Sequence, residues 1–196
     1  MSQTLSKLAG KGLAPLLPHL KLSDEAAAAV QGCQSATEAL DKLAGGGFLM
    51  EAARLLAHGL PRREAVWWTC MCAMSTEPPD LPEADRKARA AAEQWVRQPS
   101  DQNRIAAKQQ ADATALATPE SWAALAVFFC GESITPEGQP TVAPKPHIAG
   151  RTLSGAVVLS AVRKDPARQV ARLQRFIESG RNVAAGGAGR LSKEEA

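Results

Sequence analysis

The amino-acid sequence predicts an all-α protein, and three observations carry this prediction. Alanine, the strongest helix former, supplies 38 of the 196 residues. Residues that favour strands are scarce, with no Tyr and only four Phe in the chain. Apolar residues recur at helical spacing in one segment after another. We therefore expect a single-domain orthogonal multi-helix bundle of about eight or nine helices over residues 1–183.

The first half of the chain divides at prolines and glycines. Pro15 and Pro18 interrupt the leucine-rich residues 1–22, which predicts an irregular lead segment packed on the core. Ser23 is a suitable N-cap for the first helix, and a triple glycine at 45–47 ends the second. The helices predicted in this half lie at about 23–31, 36–44, 48–58 and 61–74.

The second half contains five further predicted helices and two segments without helix. Four prolines fall within residues 132–148 and predict an extended, Pro-rich linker. Gly180 is expected to end the last helix, and the glycine-rich, charged residues 184–196 predict a disordered tail. The predicted helices lie at about 81–98, 101–116, 118–130, 149–163 and 166–179.

Two of the predicted helices are apolar on nearly every side, which is typical of central, buried helices. One contains Trp67 and Trp68 and has no charged residue for ten positions after Glu64. The other spans Leu153 to Val162. We expect both Trp rings to be core residues, because they are large apolar side chains in a chain poor in aromatics. The alternative is that they line a hydrophobic groove for a partner helix or peptide.

The last predicted helix carries the most distinctive charge pattern in the chain. Arg168, Arg172 and Arg175 follow one another at spacings of four and three, which places them on one face. We expect that face to be exposed, and the acidic residues elsewhere in the chain favour a solvated surface. The alternative is an interaction face that meets an acidic partner protein or a nucleic-acid backbone. The opposite face takes the apolar residues of the helix: Val170, Leu173, Phe176 and Ile177.

The sequence contains no motif that defines a catalytic, cofactor or metal site. The four cysteines lack zinc-module spacing, and Cys70 and Cys72, two residues apart in a helix, point to different faces. His19, His58 and His147 are far apart in the chain, so we do not expect them to form a shared site. We predict no disulfide, no bound metal and no cofactor.

Net charge and hydropathy limit the binding partners and the cellular compartment that can be expected for the protein. The net charge of +3 is too small to indicate a nucleic-acid-binding protein by itself. The longest apolar run, from Leu153 to Val162, is about half of what a bilayer span needs. The start of the chain lacks the unbroken apolar stretch of a signal peptide. With cysteines used as thiols, these observations predict a cytoplasmic protein.

A family resemblance extends from Pro61 to about Gly180. The runs that carry it are residues 63–68 (REAVWW), 93–96 (EQWV), 99–101 (PSD), 119–126 (PESWAALA) and 145–147 (KPH). They resemble a family of small, all-helical bacterial proteins without an assigned function. Some members are encoded near type VI secretion gene clusters. The resemblance implies an accessory, adaptor or chaperone role and assigns no functional residue.

These observations favour a non-enzymatic protein-interaction module, an accessory factor of a bacterial secretion system whose partner is another protein. Two alternatives remain from the sequence. One is an enzyme whose site is assembled from scattered residues, and the other is a weakly basic, nucleic-acid-binding helical protein. An enzyme would bring polar groups with perturbed pKa values together in a cleft, whereas a nucleic-acid binder would present one contiguous positive face.

Overall fold

The computed structural model describes residues 4–9, 12–135 and 138–194, and these residues form one all-α domain. The predicted fold class is confirmed, and the described residues contain no β-strand. A 3-10 turn at Pro166–Arg168 precedes the last helix. The helices are α1 (Ser6–Ala9), α2 (Leu17–Leu20), α3 (Asp24–Val30), α4 (Ala36–Gly45), α5 (Leu49–Gly59), α6 (Arg62–Ser75), α7 (Glu83–Arg97), α8 (Asp101–Asp112), α9 (Pro119–Phe128), α10 (Ile148–Val162) and α11 (Gln169–Ala184).

Four of these helices begin at a polar residue that caps the first turn. The side chains of Ser23, Ser35, Ser100 and Thr118 each accept a hydrogen bond from the backbone N–H three residues ahead. That N–H has no partner within its own helix, so the cap satisfies a donor that would otherwise need water. The starts of α3, α4, α8 and α9 are therefore specified by local sequence.

Helices α6 and α10 lie in the centre of the domain, as their apolar character predicts. Helix α10 packs against α5, α6, α9 and α11, and α6 also packs against α7 and α9. Trp68 on α6 is completely buried. Gly155 on α10 receives the ring of Trp122, because a Cβ at position 155 would lie 2.4 Å from the Trp122 Cζ3 atom.

Helix α11 is longer than predicted and continues past Gly180 to Ala184. Gly180 lies inside the helix because it faces the core at a point of close approach. A Cβ there would lie 2.6 Å from Leu56 Cδ1 and 3.2 Å from Trp68 Nε1. Glycine at this position therefore serves helix packing and not helix termination.

The lead segment differs from the irregular chain that its prolines predict. It contains the two short helices α1 and α2, and Leu8 and Leu20 from this segment have no exposed surface. A single antiparallel bridge between Gly12 and Ser35 joins the segment to the start of α4. The leucines pack on the core, so the segment belongs to the domain.

The two segments predicted to lack helix also differ from expectation in part. In the Pro-rich linker the chain folds back on itself, since the Ile134 N–H donates to the Val142 carbonyl at 2.9 Å. Residues 136 and 137 of this linker lie outside the described residues. Residues 184–196 are predicted to be disordered, but the structure ends α11 at Ala184 and places residues 188–194, without helix or strand, against α6 and α11. Residues 195 and 196 of the tail also lie outside the described residues.

Membrane crossing requires a helix that is both long and apolar, and none of the helices in the described ranges meets that requirement.

Candidate functional site

The three arginines predicted to form an exposed face do lie together, but they do not form an exposed face. Arg172 is only 5% exposed. Its Nη1 donates to the backbone carbonyls of Ala161 at 3.0 Å, Arg163 at 2.7 Å and Asp165 at 3.3 Å. The last carbonyls of a helix have no partner within that helix. Arg172 is therefore drawn inward because it satisfies the C-terminal end of α10 and the chain just beyond it.

Val170 is the second correction on this helix. The apolar spacing assigned it to the buried face, but it is 59% exposed. It lies in the first turn of α11, directly after the 3-10 turn, whereas Leu173, Phe176 and Ile177 further along the helix are buried as predicted. The buried face of α11 therefore begins at Leu173, about one turn later than the apolar spacing indicates.

The arginines converge on the carboxylate of Glu194, which belongs to the tail. Arg172 Nε and Nη2 both lie 3.0 Å from Glu194 Oε2, and Arg175 Nη1 lies 3.0 Å from Oε1. Arg168 Nη1 lies 3.5 Å from Oε2. The Glu194 side chain is only 11% exposed. Three guanidinium groups thus surround one carboxylate, which leaves an excess of positive charge at this point.

The rest of the tail is held mainly through its backbone. Trp67 Nε1 donates to the Ala188 carbonyl at 2.7 Å, and Ser179 Oγ donates to the Gly189 carbonyl at 2.5 Å. We call the surface that contacts the tail the tail cradle. It consists of Trp67 and Ser75 on α6 and of Arg168, Arg172, Arg175, Ser179 and Asn182 on or directly before α11. The further polar contacts are Gly189 N to Asn182 Oδ1 at 2.8 Å, Arg175 Nη2 to the Ser192 carbonyl at 2.8 Å, and Glu194 N to the Ser75 carbonyl at 2.8 Å.

The tail cradle separates the roles of the two adjacent tryptophans. Trp68 is completely buried, and its Nε1 donates to the Phe176 carbonyl at 2.8 Å, so it is a core residue as predicted. Trp67 is only partly buried and lines the surface on which the tail lies. The core prediction is confirmed for Trp68 and only partly met by Trp67, and a groove for a partner helix or peptide stays a prediction.

The tail does not fill the space beside it. A surface cavity of about 480 Å³ lies between the tail and α11. Its lining includes Arg175, Glu178 and Asn182 from the helix and Leu191 and Ser192 from the tail.

A second cluster brings together three histidines that the sequence did not connect. The His19 ring stacks on His58 with centroids 5.4 Å apart and on His147 with centroids 4.8 Å apart. Gly150 on α10 makes room for the stack, because a Cβ there would lie 2.3 Å from His58 Nδ1. Among the residues that the structure describes, none forms a hydrogen bond with the buried Nε2 of His58.

The surroundings of His58 and His147 favour their neutral forms. Burial, followed by the charges of His19, His147 and Arg151, lowers the pKa of His58 to about 4. The pKa of His147 is also lowered, first by desolvation and then by His19, Arg151 and Lys145. Among the described residues, no group of three or more His, Cys, Asp and Glu side chains is arranged to hold a metal ion.

The cysteines are free thiols, three of them buried. Burial raises the pKa of Cys130 to about 11 and raises the pKa values of Cys70 and Cys72 still further above their usual range. A thiol in this state is a poor nucleophile and a poor metal ligand at neutral pH. Cys33 is half-buried near the end of α3.

The fold defines the class of the protein as an all-α domain, and a segment of the same chain lies on a surface formed by two of its helices. A family comparison places it more narrowly. The chain belongs to a family of unknown function, DUF6931, whose model matches residues 39–184. The matched region runs from α4 to the end of α11 and includes the resemblance seen from Pro61 to Gly180.

No curated protein and no solved structure matches the chain.

Proposed function

We propose that the chain is a non-enzymatic protein-interaction module and that its partners bind at the tail cradle. The observation that supports this proposal is the way residues 188–194 are held. Side chains of the folded body donate to backbone carbonyls of an extended segment, and three arginines take its acidic side chain. Hydrogen bonds to the backbone, with a few side-chain determinants, are how many domains recognise extended peptides.

The module is proposed to serve as an adaptor, accessory factor or chaperone of a bacterial secretion system, such as type VI secretion, in the cytoplasm. The secretion context rests on the family resemblance of the sequence. The cytoplasmic location is supported by four cysteines present as free thiols, of which three are buried.

The structure supports nucleic-acid binding less than the spacing of the arginines does. A nucleic-acid binder needs guanidinium groups that are free to reach phosphates. Here Arg172 is buried, and all three arginines share the carboxylate of Glu194. The positive face expected from spacing alone is thus largely occupied by the chain itself.

For the enzyme alternative, the candidate active site is a surface cavity of about 1360 Å³ near the start of the linker. Trp95, Arg104, Phe128 and Cys130 line it. The Cys130 thiol, whose pKa is raised to about 11 by burial, is protonated at neutral pH, and its S–H donates to the Ala126 carbonyl at 3.3 Å. A protonated, hydrogen-bonded thiol does not support nucleophilic catalysis.

Quantitative capture with full-length, tagged protein tests the proposal. The native chain and an Arg168→Glu/Arg175→Glu double variant are compared after mild cross-linking, with Arg97→Gln as a control. Arg97 is 62% exposed and pairs with Glu93 on α7, away from the tail cradle. We expect a partner that binds saturably to the native and Arg97→Gln chains but not to the double variant. Identical capture by all three chains would place partner binding elsewhere.

A further inference from the structure

Backbone, side-chain and apolar contacts hold the tail on the body. Its described residues after Gly187 contain no helix or strand. Its backbone atoms make several hydrogen bonds to the body, the Ser192 and Glu194 side chains contact the arginines, and Leu191 packs against the core. Backbone contacts do not depend on residue type. Another polypeptide of suitable local sequence can therefore make the same contacts.

At two positions of the tail, in contrast, the contacts do depend on the residue type. Gly189 has a φ of +58°, and a Cβ there would lie 2.3 Å from Val183 Cγ2, so any larger residue is excluded. Glu194, five residues later, supplies the carboxylate that the three arginines surround. The tail cradle thus selects an extended segment with glycine five residues before an acidic residue.

One part of the receiving side is held by contacts that do not involve the tail. Arg172 is fixed by three backbone carbonyls at the end of α10, and these bonds do not involve residues 186–194. When the carboxylate leaves, Nε and Nη2 of this guanidinium lose their protein partner. Three guanidinium groups then lie together without a counter-charge, so the site favours occupation by an anionic group.

The connection between the tail and α11 permits exchange. Helix α11 ends at Ala184, and Gly186, with a φ of +96°, and Gly187 follow. Glycines at this point let the tail swing away without strain in the backbone. Because the tail is tethered, its effective concentration at the tail cradle is in the millimolar range, which makes it a strong competitor.

We propose that the tail is an autoinhibitory stand-in for a partner protein, and that this partner presents an extended segment with glycine followed five residues later by an acidic side chain. This inference rests on the proposed function and names the chemistry of the partner and the regulation of the site. Neutralising or removing Glu194 opens the site, and an acidic segment from the partner then takes its place.

The test uses the full-length chain and a fluorescein-labelled, C-terminally amidated peptide with the sequence of residues 186–194. Fluorescence anisotropy measures its affinity for the native chain and for the Glu194→Lys variant, whose tail is repelled by the arginines. We expect the variant to bind the peptide at least about tenfold more tightly, because the charge-assisted competitor is gone. Peptides carrying Glu194→Gln or Gly189→Val should lose most of this affinity. In the Glu194→Lys background, Arg175→Gln should weaken binding and Arg97→Gln should not.

Trypsin supplies a second readout, because Arg190 and Lys193 lie in the tail. Cleavage there should be faster in Glu194→Lys than in the native chain while far-UV circular dichroism is unchanged. Equal affinity of the peptide for both chains, or equal binding of the Glu194→Gln peptide, would overturn the inference. A native chain that dimerises with rising concentration would also overturn it, since a second copy would then be the occupant. A saturable partner that binds regardless of tail variants would leave the interaction module intact and refute only this inference.

Discussion

The Glu120 carboxylate, which has no exposed surface, forms an ion pair with the guanidinium of Arg163 between the start of α9 and the end of α10. Arg163 Nη1 lies 3.0 Å from Glu120 Oε1 and also donates to the carbonyls of Ala73 and Thr76, both at 3.3 Å. One guanidinium thus joins the ends of three helices, because Ala73 and Thr76 belong to the C-terminal end of α6.

We expect Glu120→Ala to lower the free energy of unfolding by about 3–5 kcal/mol, because it leaves Arg163 buried without a counter-charge. Arg163→Ala should cost at least as much, since it leaves the completely buried Glu120 carboxylate without a counter-charge and removes the donor to the Thr76 carbonyl. Urea denaturation measures both changes. The exposed pair Lys164–Asp80 is a matched control, and Lys164→Ala should have no measurable effect. Equal effects of the buried and exposed substitutions would contradict this assignment.

The two tryptophans should respond differently to truncation. Trp68→Ala removes a completely buried ring and is expected to cost about 3–5 kcal/mol of stability. Trp67→Ala should cost less, because that ring is only partly buried, but it should speed tryptic cleavage of the tail by removing the bond to Ala188. Urea denaturation and limited proteolysis check the two effects. Similar losses of stability in both variants would argue that Trp67 is a core residue.

The histidine stack predicts a specific loss of stability in acid. Burial lowers the pKa of His58 to about 4 in the folded state, against about 6.5 in the unfolded chain, so the unfolded state binds the proton first. Stability from this residue is therefore full above about pH 6.5 and declines as the pH falls towards 4. A shift of this size corresponds to about 2–3 kcal/mol after allowance for the partial exposure of the ring.

The measurement is the free energy of unfolding of the native chain and of His58→Gln between pH 7 and pH 4. The difference between the two should shrink as the pH falls, because only the native chain has to protonate a buried imidazole. The charged groups that act on the stack are Arg151 on α10 and Lys145 in the linker, both cationic, so neither relieves the repulsion. Parallel pH profiles for the two chains would show that His58 is not the titrating group.

Thiol reactivity should distinguish one cysteine from the other three. All four thiols have raised pKa values, that of Cys33 first by desolvation and then by the charge of Glu38. Cys33 differs because it is only half-buried, whereas Cys70, Cys72 and Cys130 are buried. We expect a disulfide reagent to modify one thiol of the folded protein quickly and the other three only on unfolding. Mass spectrometry without reductant should find no disulfide. Rapid modification of two or more thiols under native conditions would contradict the predicted burial.

The sequence predicts the helices well because their signals are local. The caps at Ser23, Ser35, Ser100 and Thr118 and the apolar faces of α6 and α10 can be seen within a few residues of chain. Gly180 shows the limit of such reasoning. A glycine at a helix end and a glycine at a close packing contact look alike in sequence, and only the neighbouring Leu56 and Trp68 distinguish them.

The sequence predicts only part of the tail cradle. The spacing of Arg168, Arg172 and Arg175 correctly places them together, but it contains no information about the direction of Arg172. That direction depends on the free carbonyls at the end of α10 and on Glu194, which lies 22 residues beyond Arg172. The sequence feature that could have indicated this arrangement is the acidic side chain of Glu194 in a segment composed mainly of Gly and polar residues. The histidine stack offers no comparable signal, because its three rings come from distant parts of the chain.

The contacts of Glu194 constrain where a label can be placed on this protein. Three arginines hold its carboxylate, so a charged group attached to the side chain of Ser192 or Lys193 enters the same field. An acidic label there offers the arginines a second carboxylate, whereas a cationic label competes with them for Glu194. Labels for binding measurements therefore belong on an exposed side chain of another helix, such as position 97 after Arg97→Cys, in a chain that also carries Cys33→Ser.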